Sequence, residues 1–213
     1  MQRHRPKPGS GRVSFYLILS VLPLAAASLA AQPSYDCATA SDQVEQLVCT
    51  DPNLAALDRQ LASVYAVAVQ NYPLEEQTHL KVQQRGWLKG RNACWQADDV
   101  SACVEQNYRN RIVELQITSG QLPAREAVSY ACTGFEAQPL LAAFYPDTTP
   151  ASVVLTRGDD QAIAFIARSG SGARYTAAGI EFWEHQGEAT VKWYGTALQC
   201  RLIGTAVDSR PTD

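Results

Sequence analysis

Apolar positions along the chain follow two different periods, one in each half. Over roughly 37–116 they recur at steps of three and four, the spacing of one helix face. Leu54, Leu57, Leu61, Val64 and Ala68 form such a face, behind an Asp51 cap and with Pro52 at the first helical position. Asn71-Tyr72-Pro73 ends that helix, because the residue before a proline is pushed out of the helical region. A second helix is expected over 75–94, begun by Glu75-Glu76, with Leu80, Gln84, Trp87 and Arg91 on one side. Asp98-Asp99-Val100-Ser101 predicts a turn and the next helix, whose inner face carries Val104, Tyr108, Ile112 and Leu115. A short helix around Val44 precedes the three. Trp87 and Trp95 are expected to pack inside this unit, and His79 to lie on its surface.

After Val128 the period shortens. Runs rich in β-branched and aromatic residues fall at 128–132, 140–145, 152–155, 162–166, 180–183, 190–194 and 198–202. Turn signals separate them: Pro146-Asp147, Arg157 to Asp160, Gly170 to Gly172, Gln186-Gly187 and Tyr194-Gly195. Short strands at even spacing predict an antiparallel barrel or sandwich. Trp193 and Tyr194 should face opposite sides of their strand. Ser119-Gly120-Gln121-Leu122-Pro123 marks the boundary between the halves. The fold class is therefore α+β with two domains, a helical unit over 31–119 and a small β-domain over 128–203, joined by a linker over 120–127 and followed by a tail over 204–213.

The first 30 residues do not belong to this pattern. Arg3, Arg5, Lys7 and Arg12 precede an apolar run, and Ser28-Leu29-Ala30 fits a signal-peptide cleavage site, so a leader cut near Ala30 and a periplasmic location are expected. Cys37 follows Ser34-Tyr35-Asp36, which is not a lipoprotein box, so no stable membrane insertion is expected after cleavage. Losing four basic residues and no acid takes the formal charge from −3 to −7. Such a chain has no affinity for nucleic acid and should attract a basic partner.

Six cysteines, none in a C-x-x-C pair, fit disulfides in an exported protein and not a metal or thioredoxin-like site. Cys132 falls in the first strand and Cys200 in the last, and a bond between them would contribute about 4 kcal/mol by closing a long loop. In the helical half the local pairs Cys37–Cys49 and Cys94–Cys103 are favoured, although four cysteines allow three connectivities. No cofactor, metal or catalytic set is expected. Ser171 has no base beside it in the sequence, which argues against a hydrolase.

Tyr130-x-Cys132, Gly134, Ser171-Gly172-Ala173-Arg174-Tyr175, Trp183, Gly187 to Thr190 and Cys200 together resemble the membrane-bound inhibitors of C-type lysozyme. Asp36-Cys37, Val44-Glu45, Cys49, Asp51-Pro52, Leu54 to Asp58, Arg85-x-Trp87-Leu88, Arg91, Cys94 and Cys103 resemble the helical domain of the LprI type. The first resemblance implies a small periplasmic barrel whose serine-bearing loop enters the lysozyme cleft. It implies that Ser171, Gly172, Arg174 and Tyr175 bind the enzyme. Where that family commonly reads tryptophan-x-lysine-glycine, this chain reads Trp183-Glu184-His185-Gln186, so His185 takes the lysine's place. An imidazole is fully charged only at acidic pH, so its contact would be weaker and pH-dependent, and Arg174 would bear more of the charge. C-type lysozyme is thus the expected partner. The alternative is a module that binds peptidoglycan or other envelope proteins without inhibiting anything, with Trp183 and Trp193 offering a face for sugars.

Overall fold

A computed structural model describes Met1 and residues 32–135 and 138–205. The leader and its cleavage site lie outside the described residues, as does the end of the chain from 206. Among the described residues four α-helices come first: α1 (Gln43–Thr50), α2 (Pro52–Asn71), α3 (Leu74–Asn92) and α4 (Val100–Thr118). Eight strands follow: β1 (Ala127–Cys132), β2 (Leu140–Tyr145), β3 (Ser152–Arg157), β4 (Asp160–Ala167), β5 (Ala173–Ala177), β6 (Ile180–His185), β7 (Glu188–Trp193) and β8 (Thr196–Thr205).

Aspartates start three of the helices. Asp42 accepts from the Glu45 amide, Asp51 from the Asn53 and Leu54 amides, and Asp99 from the Ala102 amide. The expected stripe on α2 is buried throughout, from Leu54 to Ala68, and packs mainly against α4 through Val104, Tyr108, Ile112 and Leu115. The second helix stops at Asn92, short of Cys94, because the chain tightens into a 3-10 turn over Ala93–Gln96. That turn carries Cys94 to Cys103 on α4. Cys37–Cys49 closes the other end of the unit. Trp87 packs edge-on against Tyr108, as expected of a core aromatic. Trp95 does not: it is 59% exposed, because the 3-10 turn points it away from the core that its neighbour Cys94 enters.

The strands form a closed antiparallel barrel in simple up-and-down order, with β1 pairing β8. Closure removes both sheet edges. Cys132 and Cys200 are direct partners in the β1–β8 ladder and are bonded. Inward residues alternate along each strand, giving a core of Tyr130, Leu140, Val153, Leu155, Phe182, Val191, Trp193 and Leu198 among others. Trp193 faces this core, whereas Tyr194 sits exposed on the turn after β7. Both Gln186-Gly187 and Tyr194-Gly195 have positive φ, the two-residue turn that suits strand twist. One strand was not anticipated. Ala173, Arg174 and Tyr175, expected within a loop, form the start of β5 and pair with Glu184, Trp183 and Phe182.

Candidate functional site

Only Arg168 to Gly172 remain outside regular structure between β4 and β5, and they form the loop proper. Its backbone is tied down from two sides. The Ser169 hydroxyl donates to the carbonyls of Ser171 and Gly172, at 2.8 and 2.9 Å. The Trp183 indole N–H donates to the Ser171 carbonyl at 2.8 Å. Gly172 has φ +66°, and a Cβ built there would stand 2.2 Å from the Glu184 carbonyl oxygen. Only glycine lets the loop lie this close to β6. The Ser171 side chain points to solvent, and among the described residues its hydroxyl has no partner. The loop is thus a fixed backbone carrying one free hydroxyl, which can donate and accept at once.

Arg174 lies opposite Trp183 on the outer face of β5–β6. Its guanidinium donates to Glu181 at 2.7 Å, and Lys192 approaches the other Glu181 oxygen at 3.6 Å. The Arg174 hydrogen bond holds the Glu181 carboxyl below the usual range, although partial burial works against it. Much of the Arg174 charge is therefore spent within the barrel. Tyr175 faces inward at 7% exposure, tilted against Phe144 and Phe182, so it supports the loop from below. Burial, then the nearby Glu184, push its phenol up. The exposed His185 ends β6, and its Cβ lies 3.0 Å from where a Cβ on Gly172 would stand. The fold therefore gathers Ser171, Gly172, Trp183 and His185 at one end of the barrel.

Trp183 is the residue of this group whose part the sequence did not disclose. It is 40% exposed, a large aromatic left in solvent while it anchors the loop by one hydrogen bond. Trp183→Phe removes that bond and keeps most of the ring. We expect it to leave the unfolding midpoint nearly unchanged and to raise hydrogen exchange and proteolytic nicking at 168–172. An exchange pattern equal to wild type would show that the indole does not hold the loop.

Residues 130–199 match the family described as membrane-bound lysozyme-inhibitor of c-type lysozyme, and residues 35–115 match the family described as lysozyme inhibitor LprI. Lipoprotein LprI from Mycobacterium bovis and from Mycobacterium tuberculosis are each 37% identical over 179 residues, covering 84% of this chain and 89% of theirs. The chain belongs to the LprI family. No solved structure matches it. The two family matches fall one on the helical unit and one on the barrel. Most helical residues that carried the resemblance are structural in this LprI-family chain: Cys37, Cys49, Cys94 and Cys103 are disulfides, Asp51 is a cap, and Asp58 and Arg91 are buried. Among the described residues no cluster of His, Cys, Asp or Glu could hold a metal ion, and no helix is long and apolar enough to cross a membrane.

Proposed function

We propose that this protein is an exported envelope protein that inhibits a C-type lysozyme by placing the tip of the 168–172 loop in the enzyme's active-site cleft. The observation that carries the reading is the pinned backbone of that loop with the free Ser171 hydroxyl at its tip. A lysozyme cleft holds one protonated carboxyl and one ionised carboxylate. A hydroxyl can donate to the carboxylate and accept from the acid in the same pose. Gly170 and Gly172 keep the tip narrow; nothing lies within 4 Å of a Cβ built at Gly170, so the loop stands clear of the barrel there. Because Trp183 and Ser169 already hold the backbone, little ordering entropy opposes binding. Tyr175 acts from inside the barrel as a support. Arg174, committed to Glu181, fixes the β5–β6 face and leaves the charged contact to His185.

A charge of −7 after loss of the leader favours encounter with a basic enzyme, and the association rate should fall as salt rises. His185→Lys places a permanent cation beside the loop. It should strengthen inhibition at neutral pH. Equal potency of the two proteins would remove His185 from the contact. The basic test is a muramidase assay with the mature chain against a hen-type lysozyme. Dose-dependent inhibition is expected; full enzyme activity at a large excess of this protein would overturn the proposal.

A further inference from the structure

The helical unit carries a second surface that the barrel loop does not explain. A groove of about 700 Å³ opens between α1, the end of α3 and the 3-10 turn that bears Trp95. This lies within the range of about 300–1,000 Å³ typical of small-ligand sites. Trp95 lines it at 59% exposure. The Cys94–Cys103 bond on the residue before it anchors the turn to α4, so the ring is held in solvent by the covalent frame. Among the described residues its indole N–H has no partner.

The polar floor of the groove is fixed from below by a buried cation. Arg91 is 2% exposed and donates through Nε and Nη2 to the Asn92 side-chain carbonyl, at 2.8 and 2.6 Å. The Asn92 amide in turn donates to Asp42 Oδ2, while Asp42 Oδ1 accepts from the Glu45 amide. Asn92 and Asp42 thus line the groove in one orientation, with the Asp42 carboxylate already engaged. Around them Gln43, Gln46 and Lys89 are exposed, and among the described residues their side chains make no hydrogen bond or ion pair. Two free amides, a free ammonium and an exposed indole therefore share one rigid groove.

We infer that this groove binds a glycan chain of N-acetylated aminosugars, of the kind that also carries carboxylate groups. The face of a β-linked pyranose presents C–H edges of slight positive charge, which suit the negative face of an indole. Glutamine amides match hydroxyl and acetamido groups, since each both donates and accepts. Lys89 supplies a point charge for a carboxylate on the sugar or its substituent. A nucleotide phosphate would meet only one cation here, beside the Asp42 carboxylate. The site is separate from the barrel loop and does not depend on lysozyme inhibition.

Titration calorimetry on the full mature chain tests this, with two probes: the β-1,4-linked tetramer of N-acetylglucosamine, and a soluble peptidoglycan glycan fragment containing muramic acid. Saturable binding is expected for both, tighter for the acidic fragment. Trp95→Ala should weaken each by about tenfold or more. Lys89→Ala should weaken the acidic fragment selectively. Trp183→Ala, on the barrel, should leave both affinities unchanged. Trp95 is exposed, so its loss leaves the core intact, and an unchanged unfolding midpoint verifies that. Lysozyme inhibition by Trp95→Ala should equal wild type, which separates a failure of this site from a failure of the loop. No saturable binding of either probe, or affinities in Trp95→Ala equal to wild type, would overturn the inference.

Discussion

Ser171→Ala should weaken lysozyme inhibition by about tenfold to a hundredfold, the range expected when one hydrogen-bonding hydroxyl opposite a charged group is lost. The fold predicts that this loss is local. Ser171 is exposed, and its carbonyl, not its hydroxyl, receives the bonds from Ser169 and Trp183. Removing the hydroxyl leaves both anchors in place, so the unfolding midpoint should not move. The defect should appear mainly as faster dissociation, because long-range charge, which sets the encounter rate, is unaltered. An inhibition constant equal to wild type would show that the tip does not meet the catalytic pair. Gly172→Ala should also impair inhibition, by a different route. Its Cβ would collide with the Glu184 carbonyl, and its φ of +66° disfavours any side chain, so the loop backbone itself must shift.

Arg91→Ala should produce the largest loss of stability, about 3–5 kcal/mol for the helical unit, as expected when one partner of a buried charged network is removed. Arg91 Nη1 donates to the Tyr108 hydroxyl at 2.6 Å, and that hydroxyl donates to Asp58 Oδ1 at 2.8 Å. Asp58 Oδ2 accepts from the amide and the hydroxyl of Ser34, each at 2.6 Å. The guanidinium also stacks near the Trp87 and Tyr108 rings, at 5.6 and 5.5 Å from their centroids. Burial drives the Tyr108 phenol far up, with Arg91 the leading influence in the opposite direction. Without the cation, the Tyr108 hydroxyl that bridges to Asp58 loses its donor, and the Asn92–Asp42 pair loses its anchor. Denaturant unfolding followed by far-UV circular dichroism checks the prediction. A midpoint equal to wild type would mean that the network adds nothing to stability.

Much of this was legible from residue spacing. The α2 stripe, the aspartate caps and the turn pairs follow from local chemistry, which the tertiary structure here leaves unopposed. Cys37–Cys49 and Cys94–Cys103 pair locally as favoured, and Cys132–Cys200 joins the first and last strands. What escaped is equally local. Ala173-Arg174-Tyr175-Thr176-Ala177 has no run of β-branched residues and follows a glycine-serine stretch, so its strand character comes from pairing with β4 and β6, not from its own propensity. Arg174 was consequently expected at a binding tip, and Glu181, seven residues on, gave no sequence signal of the pair across the hairpin. Trp95 looked like a core aromatic because apolar area favours burial; the 3-10 turn that exposes it is set by where its neighbour Cys94 must go. Trp183 offered a signal in principle, as a tryptophan on the outward register of a strand beside a loop. Its bond to the Ser171 carbonyl required the three-dimensional arrangement.

A crystal structure of the mature chain bound to a hen-type lysozyme would locate the 168–172 loop outright. It should show the 168–172 loop in the substrate cleft, with the Ser171 hydroxyl within hydrogen-bonding distance of both catalytic carboxyl groups and the Trp183 contact retained. A complex in which that loop faces solvent and the cleft stays open would contradict the proposed inhibition.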